Sequence, residues 1–316
     1  MGYSPDHSHY SVPLSRASIE YKAPDLAAEK VLPRIKVDNE LDIYYEWDKS
    51  AFNIVKDERA DGAPENESTG GWFERNYHCL AYGLRDKITR RMRKNSDSIL
   101  QLDITVNNRL LNQLRTNLEW RVLGPGGVVR TTSNVNYVNS AVGSMSGTNA
   151  SPRTIIQEAI TGIQQSSGMM PNQIVSNPDQ WRQLTRTAEY RDEVKHVADI
   201  RNMDTPTTLY GLKVIEATAV ANLTGAAPVV PAPKTGASAM TLNWIMDDDM
   251  FISYSKPSLG MRDLLYGGIF YTETYSRKWW DDESEVDWVA VNDIYVPKVF
   301  SIYCGALIQS PFGGNS

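Results

Sequence analysis

Asp247-Asp248-Asp249 is the densest oxygen cluster in the chain, and hard divalent cations want clustered oxygens, so metal-assisted hydrolysis is the first chemistry to weigh. The same three acids stand between two strand-like runs, where a solvated turn is the commoner use. Asp281-Asp282-Glu283 carries the same two readings. His7-x-His9 has a spacing that can touch a metal, but it lies in a proline-rich start without a full ligand set. His78 and His196 leave little for acid–base work. Cys79 and Cys304 are too few for a zinc site or a disulfide framework and are expected to be buried thiols of a reducing compartment. The sequence has no phosphate-loop, dinucleotide, zinc-protease or nucleophile-elbow pattern. Its glycine-rich run, Gly124-Pro125-Gly126-Gly127, ends a helical pattern, whereas a phosphate cradle begins one because free amides point out of a helix start. No catalytic, cofactor-binding or metal-binding residue is therefore assigned.

Two groups of residues suit binding instead. Lys87, Arg90, Arg91, Arg93 and Lys94 make a basic cluster that could grip a phosphate backbone or pair with acidic surface on another subunit; the second use is preferred. Exposed pairs are worth only about 0 to 1 kcal/mol each, so such pairing orients more than it holds. The aromatic load is the stronger clue. Eight Trp and 16 Tyr against six Phe is the amphipathic kind of aromatic that interfaces favour. Tyr44, Tyr45, Trp47, Phe52, Ile54 and Trp72 fall on a segment that cannot cover itself, and Trp279 and Trp280 on a turn. Trp181 and Trp244 are assigned to the core.

Periodicity supplies the elements that carry these groups. Residues 1–40, with prolines at 5, 13, 24 and 33, form an extended arm with a short helix near Asp25–Val31. Ile43, Tyr45 and Trp47 alternate as a strand, Phe52 to Val55 extends it, and a breaker-rich stretch from Asp61 to Gly71 leads into a second strand from Trp72 to Tyr82. An isolated two-stranded ribbon lacks a second layer, so its apolar face needs a surface from elsewhere. Leu100, Ile104, Leu111, Leu114, Leu118 and Val122 share one helix face over about 97–123. A Ser/Thr/Asn/Gly loop follows. Helices from Pro152 and from the Asn177 cap, with strands at 171–176 and 212–217, make an α/β unit. After an Ala/Pro/Gly loop at 221–239 the remainder is strand: 240–246, 250–254, 268–279 and 286–308. At 316 residues, 41% apolar and 22% charged, the chain suffices for two compact units, or one with large excursions. A net charge of -6 does not mark a nucleic-acid binder. No apolar run is long enough to span a bilayer, and the start lacks a signal-peptide pattern, so a cytoplasmic, membrane-free protein is expected.

The order of arm, ribbon, long helix, α/β unit and terminal hairpin resembles the major capsid proteins of tailed bacteriophages, with the Hong-Kong-97-like α+β fold. The local text is similar as well: Ala60-Asp61-Gly62-Ala63-Pro64, Tyr77-His78-Cys79-Leu80-Ala81-Tyr82-Gly83-Leu84, Leu102-Asp103, Pro171-Asn172, Asn177-Pro178-Asp179-Gln180-Trp181 and Tyr210-Gly211-Leu212-Lys213-Val214. The resemblance implies an N-arm over 1–40, an E-loop over 41–85, a P-domain with its spine helix over 86–150, an A-domain over 151–240, and returning strands over 241–316. It implies a non-enzymatic shell protein of the virion, assembled in the host cytoplasm as pentamers and hexamers around double-stranded DNA. Portal, scaffold and cement proteins are further partners of that family. The subunit contacts would fall on Tyr45, Trp47, Phe52, Ile54 and Trp72 of the E-loop and on Lys87, Arg90, Arg91 and Arg93. An encapsulin-like compartment shell is the nearer alternative, and a hydrolase using Asp247 to Asp249 the more distant one.

Overall fold

The computed structural model describes residues 26–59, 61–62, 64–67, 71–95, 99–141, 143–146, 151–195, 205–222, 242–256 and 264–313, with backbone alone at 51–52, 99–101 and 222. The arm before Leu26, His7 and His9, the cap expected at Ser96 or Asp97, His196 and the loop at 223–241 lie outside the described residues.

A helix of 25 residues, Ile99–Leu123, is the longest element. Val106, Leu110, Leu111, Leu114, Leu118 and Val122 recur at three- and four-residue steps, share one face and are buried. The helix stops there because Pro125 cannot continue the hydrogen-bond ladder, and Gly126 then turns at a positive φ of 73°.

That face lies on a four-stranded sheet of order β1-β12-β13-β4, where β1 is Arg34–Lys36, β4 Leu80–Thr89, β12 Gly267–Asp281 and β13 Val286–Val299. Strand side chains alternate, so Ile88, Val289 and Val291 meet Leu110, Leu111 and Leu114 of the helix, while Arg85, Lys87 and Trp288 take the opposite face. A second, six-stranded sheet runs β5-β14-β11-β6-β8-β7: β5 Tyr137–Asn139, β6 Gln173–Ser176, β7 Thr208–Leu209, β8 Leu212–Glu216, β11 Met250–Ser253 and β14 Gly305–Ile308. Helices Pro152–Ser167 and Pro178–Arg186 pack on it. Each begins with a proline in its first turn behind a side-chain cap, Ser151 accepting from Thr154 N and Asn177 from Gln180 N. Two ribbons complete the chain: β2 Leu41–Trp47 with β3 Trp72–His78, and β9 Val220–Asn222 with β10 Leu242–Trp244.

Three expected strands are shorter than their apolar runs. The run from Trp72 to Tyr82 breaks at Cys79, whose buried amide donates to Glu40 O (2.8 Å), and passes from β3 into β4. Phe52 to Val55 is not strand: a 3-10 turn, Lys49–Phe52, forms under the Asp48 cap, and the chain is then irregular and exposed from Asn53 to Arg59. The run from Val286 to Ile308 splits at the turn Ile302–Cys304, where it leaves β13 for β14 and so joins the two sheets. Both sheets and the long helix share one core, which includes Leu118, Val122, Val175, Phe251, Tyr266, Ile269, Tyr295 and Leu307. Residues 26–36 also enter it, with Ala27, Ala28, Val31 and Leu32 fully buried and β1 parallel to β12.

Candidate assembly surfaces

In the ribbon, Leu41, Ile43, Tyr45 and Trp47 alternate with Asp42, Tyr44 and Glu46, and pairing sets Trp47 opposite Trp72 and Leu41 opposite His78. The two faces meet different surroundings. Tyr44 packs between Phe270 and Phe300 (5.8 and 5.7 Å), and Tyr77 stacks on Phe270 at 4.4 Å. The Trp47 amide donates to Phe300 O (2.9 Å) and Asp48 accepts from the Tyr303 hydroxyl (3.4 Å). This corrects the expectation that the ribbon is wholly uncovered: the body of the same subunit supplies a second layer to its Tyr44 and Tyr77 side.

The other side stays open. Leu41 is 65% and Ile43 47% exposed. Tyr45 is half-buried, and so are Trp47 and Trp72, which meet edge-on at 5.8 Å. Beyond them the chain leaves the body, and Ile54 is fully exposed. The side chain of Phe52 lies outside the described residues. Phe73, opposite Glu46 on the Tyr44 side, and Leu80 at the start of β4 are also exposed and were not singled out by sequence; their alternation was visible, but it does not show which face a neighbouring sheet would cover.

The basic cluster divides by side. It sits on the end of β4 and the short helix Arg90–Lys94, which Thr89 caps by accepting from Met92 N. Lys87, Arg90, Arg91 and Lys94 are exposed, and Arg90 reaches Glu285 only at 3.6 Å. Arg93 turns inward. It pairs with Asp103 (3.1 Å) and Asp287, and Asp103 also receives Lys278 Nζ at 2.6 Å. A largely buried carboxylate held by two cations pins the long helix to β12 and β13, and Arg93 is part of that intrasubunit network. Neither Asp103 nor Lys278 was marked by sequence, because the contact spans 175 residues.

The Asp cluster is spent on the fold. Asp249 accepts from Arg130 Nε (2.6 Å) and Ser310 N (3.1 Å), Asp248 accepts from Gln180 Nε2 (3.0 Å), and Asp247 is largely exposed. Asp247 and Asp249 share the Arg130 guanidinium (3.7 and 2.6 Å) while Asp248 turns to Gln180, so a side-chain cation already stands where a divalent metal would have to sit, which counts against the hydrolase reading. Among the described residues no group of three or more His, Cys, Asp or Glu could hold a metal ion. Both thiols are buried, and burial pushes Cys304 up to about 11, so it stays protonated and unreactive near neutral pH. No helix among the described residues is long and apolar enough to cross a membrane.

No family model matches the chain, and no curated protein matches its sequence. Solved structures do match. A phage-related protein of Bordetella bronchiseptica superposes with a TM-score of 0.74 at 17% identity, over 98% of this chain and 99% of that one. The capsid protein of an empty GTA particle gives 0.58 at 10% identity, over 98% and 94%. The capsid of cyanophage P-SCSP1u gives 0.57 at 9% identity, over 94% and 90%. The chain thus has the mixed α+β fold of phage major capsid proteins, along nearly its whole length.

Proposed function

We propose that this chain is a structural shell protein and not an enzyme: the major capsid protein of a tailed bacteriophage, resident in the virion and assembled in the host cytoplasm. Copies close into rings of five and six, and the rings into an icosahedral shell around double-stranded DNA. Ring contacts are head to tail, one patch meeting a different patch on the next copy, so closure and not self-complementarity sets the size. The reading is carried by one observation, a capsid-like fold from which a loop projects with Ile54 fully exposed. An apolar side chain held clear of its own subunit calls for cover by another copy. Tyr45, Trp47, Phe52, Ile54 and Trp72 form that contact region, with Lys87, Arg90 and Arg91 orienting it. At an obligate interface above about 2,000 Å² such aromatic anchors dominate the energy. A net charge of -6 suits a wall that encloses DNA without condensing it.

Negative-stain microscopy of the expressed protein tests this directly. Spherical shells, sheets or tubes are expected. Uniform small particles at high concentration would exclude the reading. Shells taken from their native source should protect duplex DNA from nuclease; a protein cargo in its place would make the chain an encapsulin-like shell.

A further inference from the structure

We infer that Asp61-Gly62, at the tip of the projecting loop, is a modification site: the folded chain converts Asp61 to isoaspartate there, with no enzyme. It is the single Asp-Gly step in the sequence, and there is no Asn-Gly. The reaction is closure of a five-membered ring. Gly62 N attacks Asp61 Cγ, and a carboxylate oxygen leaves as water, carrying the amide proton and one proton from solvent. Water then adds to either carbonyl of the resulting succinimide and returns a proton to solvent. Breaking the new Cγ–N bond restores aspartate. Breaking the original peptide bond leaves Gly62 N on Cγ, so the chain runs through the side chain with one more backbone atom.

The loop favours closure at this step. A side chain on the following residue crowds the attacking nitrogen; glycine has none, and apart from its chain neighbours no atom lies within 4 Å of where a Cβ on Gly62 would stand. Gly62 sits in a turn at a φ of 79°, so no strand or helix ladder holds the Asp61 backbone. Asp61 is exposed, and among the described residues no hydrogen bond or ion pair engages its carboxylate. The bracing lies below the tip. Arg59 pairs with Glu65, and Asn66 Nδ2 donates to Lys56 O (2.9 Å) and Glu58 O (3.1 Å). The stem is thereby closed, while Asp61 and Gly62 stand open to water at a loop tip, where chain movement concentrates. Asp42 and Asp86 make the contrast. Each carboxylate already accepts the next residue's amide, from Ile43 at 2.8 Å and from Lys87 at 2.9 Å. Both lie in strands, β2 and β4, whose pairing fixes the backbone, and both are followed by a long or branched side chain. Reaction is therefore confined to Asp61. The inference concerns the loop of one chain and stands whether or not the shell reading holds.

Ageing the folded protein at physiological temperature and neutral pH tests this. Treated afterwards with protein L-isoaspartyl methyltransferase and labelled S-adenosylmethionine, it should take up methyl groups in proportion to the time held, and fragment-ion mass spectrometry should place them at position 61. Asp61→Glu would have to close a six-membered ring and should lose nearly all of the uptake. Asp61→Asn, which releases ammonia in place of water, should raise it several-fold. Circular dichroism melting of both variants should match the parent, since the altered side chain is exposed. Uptake undiminished in Asp61→Glu would overturn the inference by placing the reaction elsewhere. Folded protein that takes up no label would overturn it too, and labelling of the same chain in urea would then show that the braced loop holds Gly62 N away from Cγ.

Discussion

Glu119 is fully buried on the apolar face of the long helix, and its two oxygens accept the amides of Ala27 (3.0 Å) and Ala28 (2.7 Å). It thereby ties the start of the Ala28–Val31 helix, the point where the chain enters the core, to a residue 91 positions on in sequence. Burial raises its pKa above the ordinary glutamate value. The two backbone bonds and Lys30 oppose that shift, Glu29 adds to it, and burial prevails. The folded protein therefore binds this proton more tightly than the unfolded chain does. The contribution to stability is full below the ordinary glutamate range and is lost as pH rises through the raised value. Glu119→Ala leaves two buried N–H groups without acceptors and should cost about 2 to 4 kcal/mol in urea unfolding. Glu119→Gln keeps one acceptor but sets an amide N–H against the other donor, so it should cost less and should lose the wild-type fall in stability as pH rises through the raised value. An Ala variant as stable as the parent would show that the tie does not hold residues 26–36 in place.

At the scale of elements, the ribbon and the loop beyond it separate into two roles. Because Tyr44 and Tyr77 rest on Phe270 and Phe300, β2 and β3 should stay docked when the loop is removed. Replacing residues 54–67 by a short Gly-Ser link should leave a subunit with unchanged near-ultraviolet dichroism that sediments as a monomer, whereas persistent shells would take the loop out of assembly. The elements themselves were largely legible in the sequence. The long helix was expected over about 97–123 and runs Ile99–Leu123, since a stripe repeated over seven turns outweighs any single residue. The caps at Ser151 and Asn177 were equally readable, because capping is settled within three residues. The site was legible only in part. Exposed Ile54 and half-buried Tyr45, Trp47 and Trp72 lie on the expected segment, but which ribbon face is covered depends on Phe270 and Phe300, both far downstream of β3 in sequence. Arg93 shows the same limit from the other direction. Its neighbours in sequence mark it as one of a surface cluster, and only the fold brings Asp103 and Asp287 to it.

For the molecule as a whole, the question is whether the two sheets are two folding units. Length and the change of texture after residue 150 allow two, yet the core does not divide along that line. Val175, Ile215, Phe251 and Leu307 of the six-stranded sheet share one cluster with Ile269 and Tyr295 of the four-stranded sheet and Leu118 and Val122 of the helix. The junction is tight where β13 gives way to β14: a Cβ on Gly305 would come within 2.6 Å of the Tyr266 ring, so only glycine lets the strand pass under that buried side chain. Arg130 adds a polar tie across the same region through Asp249. A subunit held from assembly by excision of the loop should therefore unfold in one calorimetric transition whose van't Hoff and calorimetric enthalpies agree. Two resolved transitions would mean that the shared cluster couples the sheets too weakly to make them one unit. The distinction bears on assembly, because a subunit that is a single cooperative body transmits a contact made at its loop to the far sheet by rigid displacement, whereas two loosely joined bodies would absorb it at their hinge.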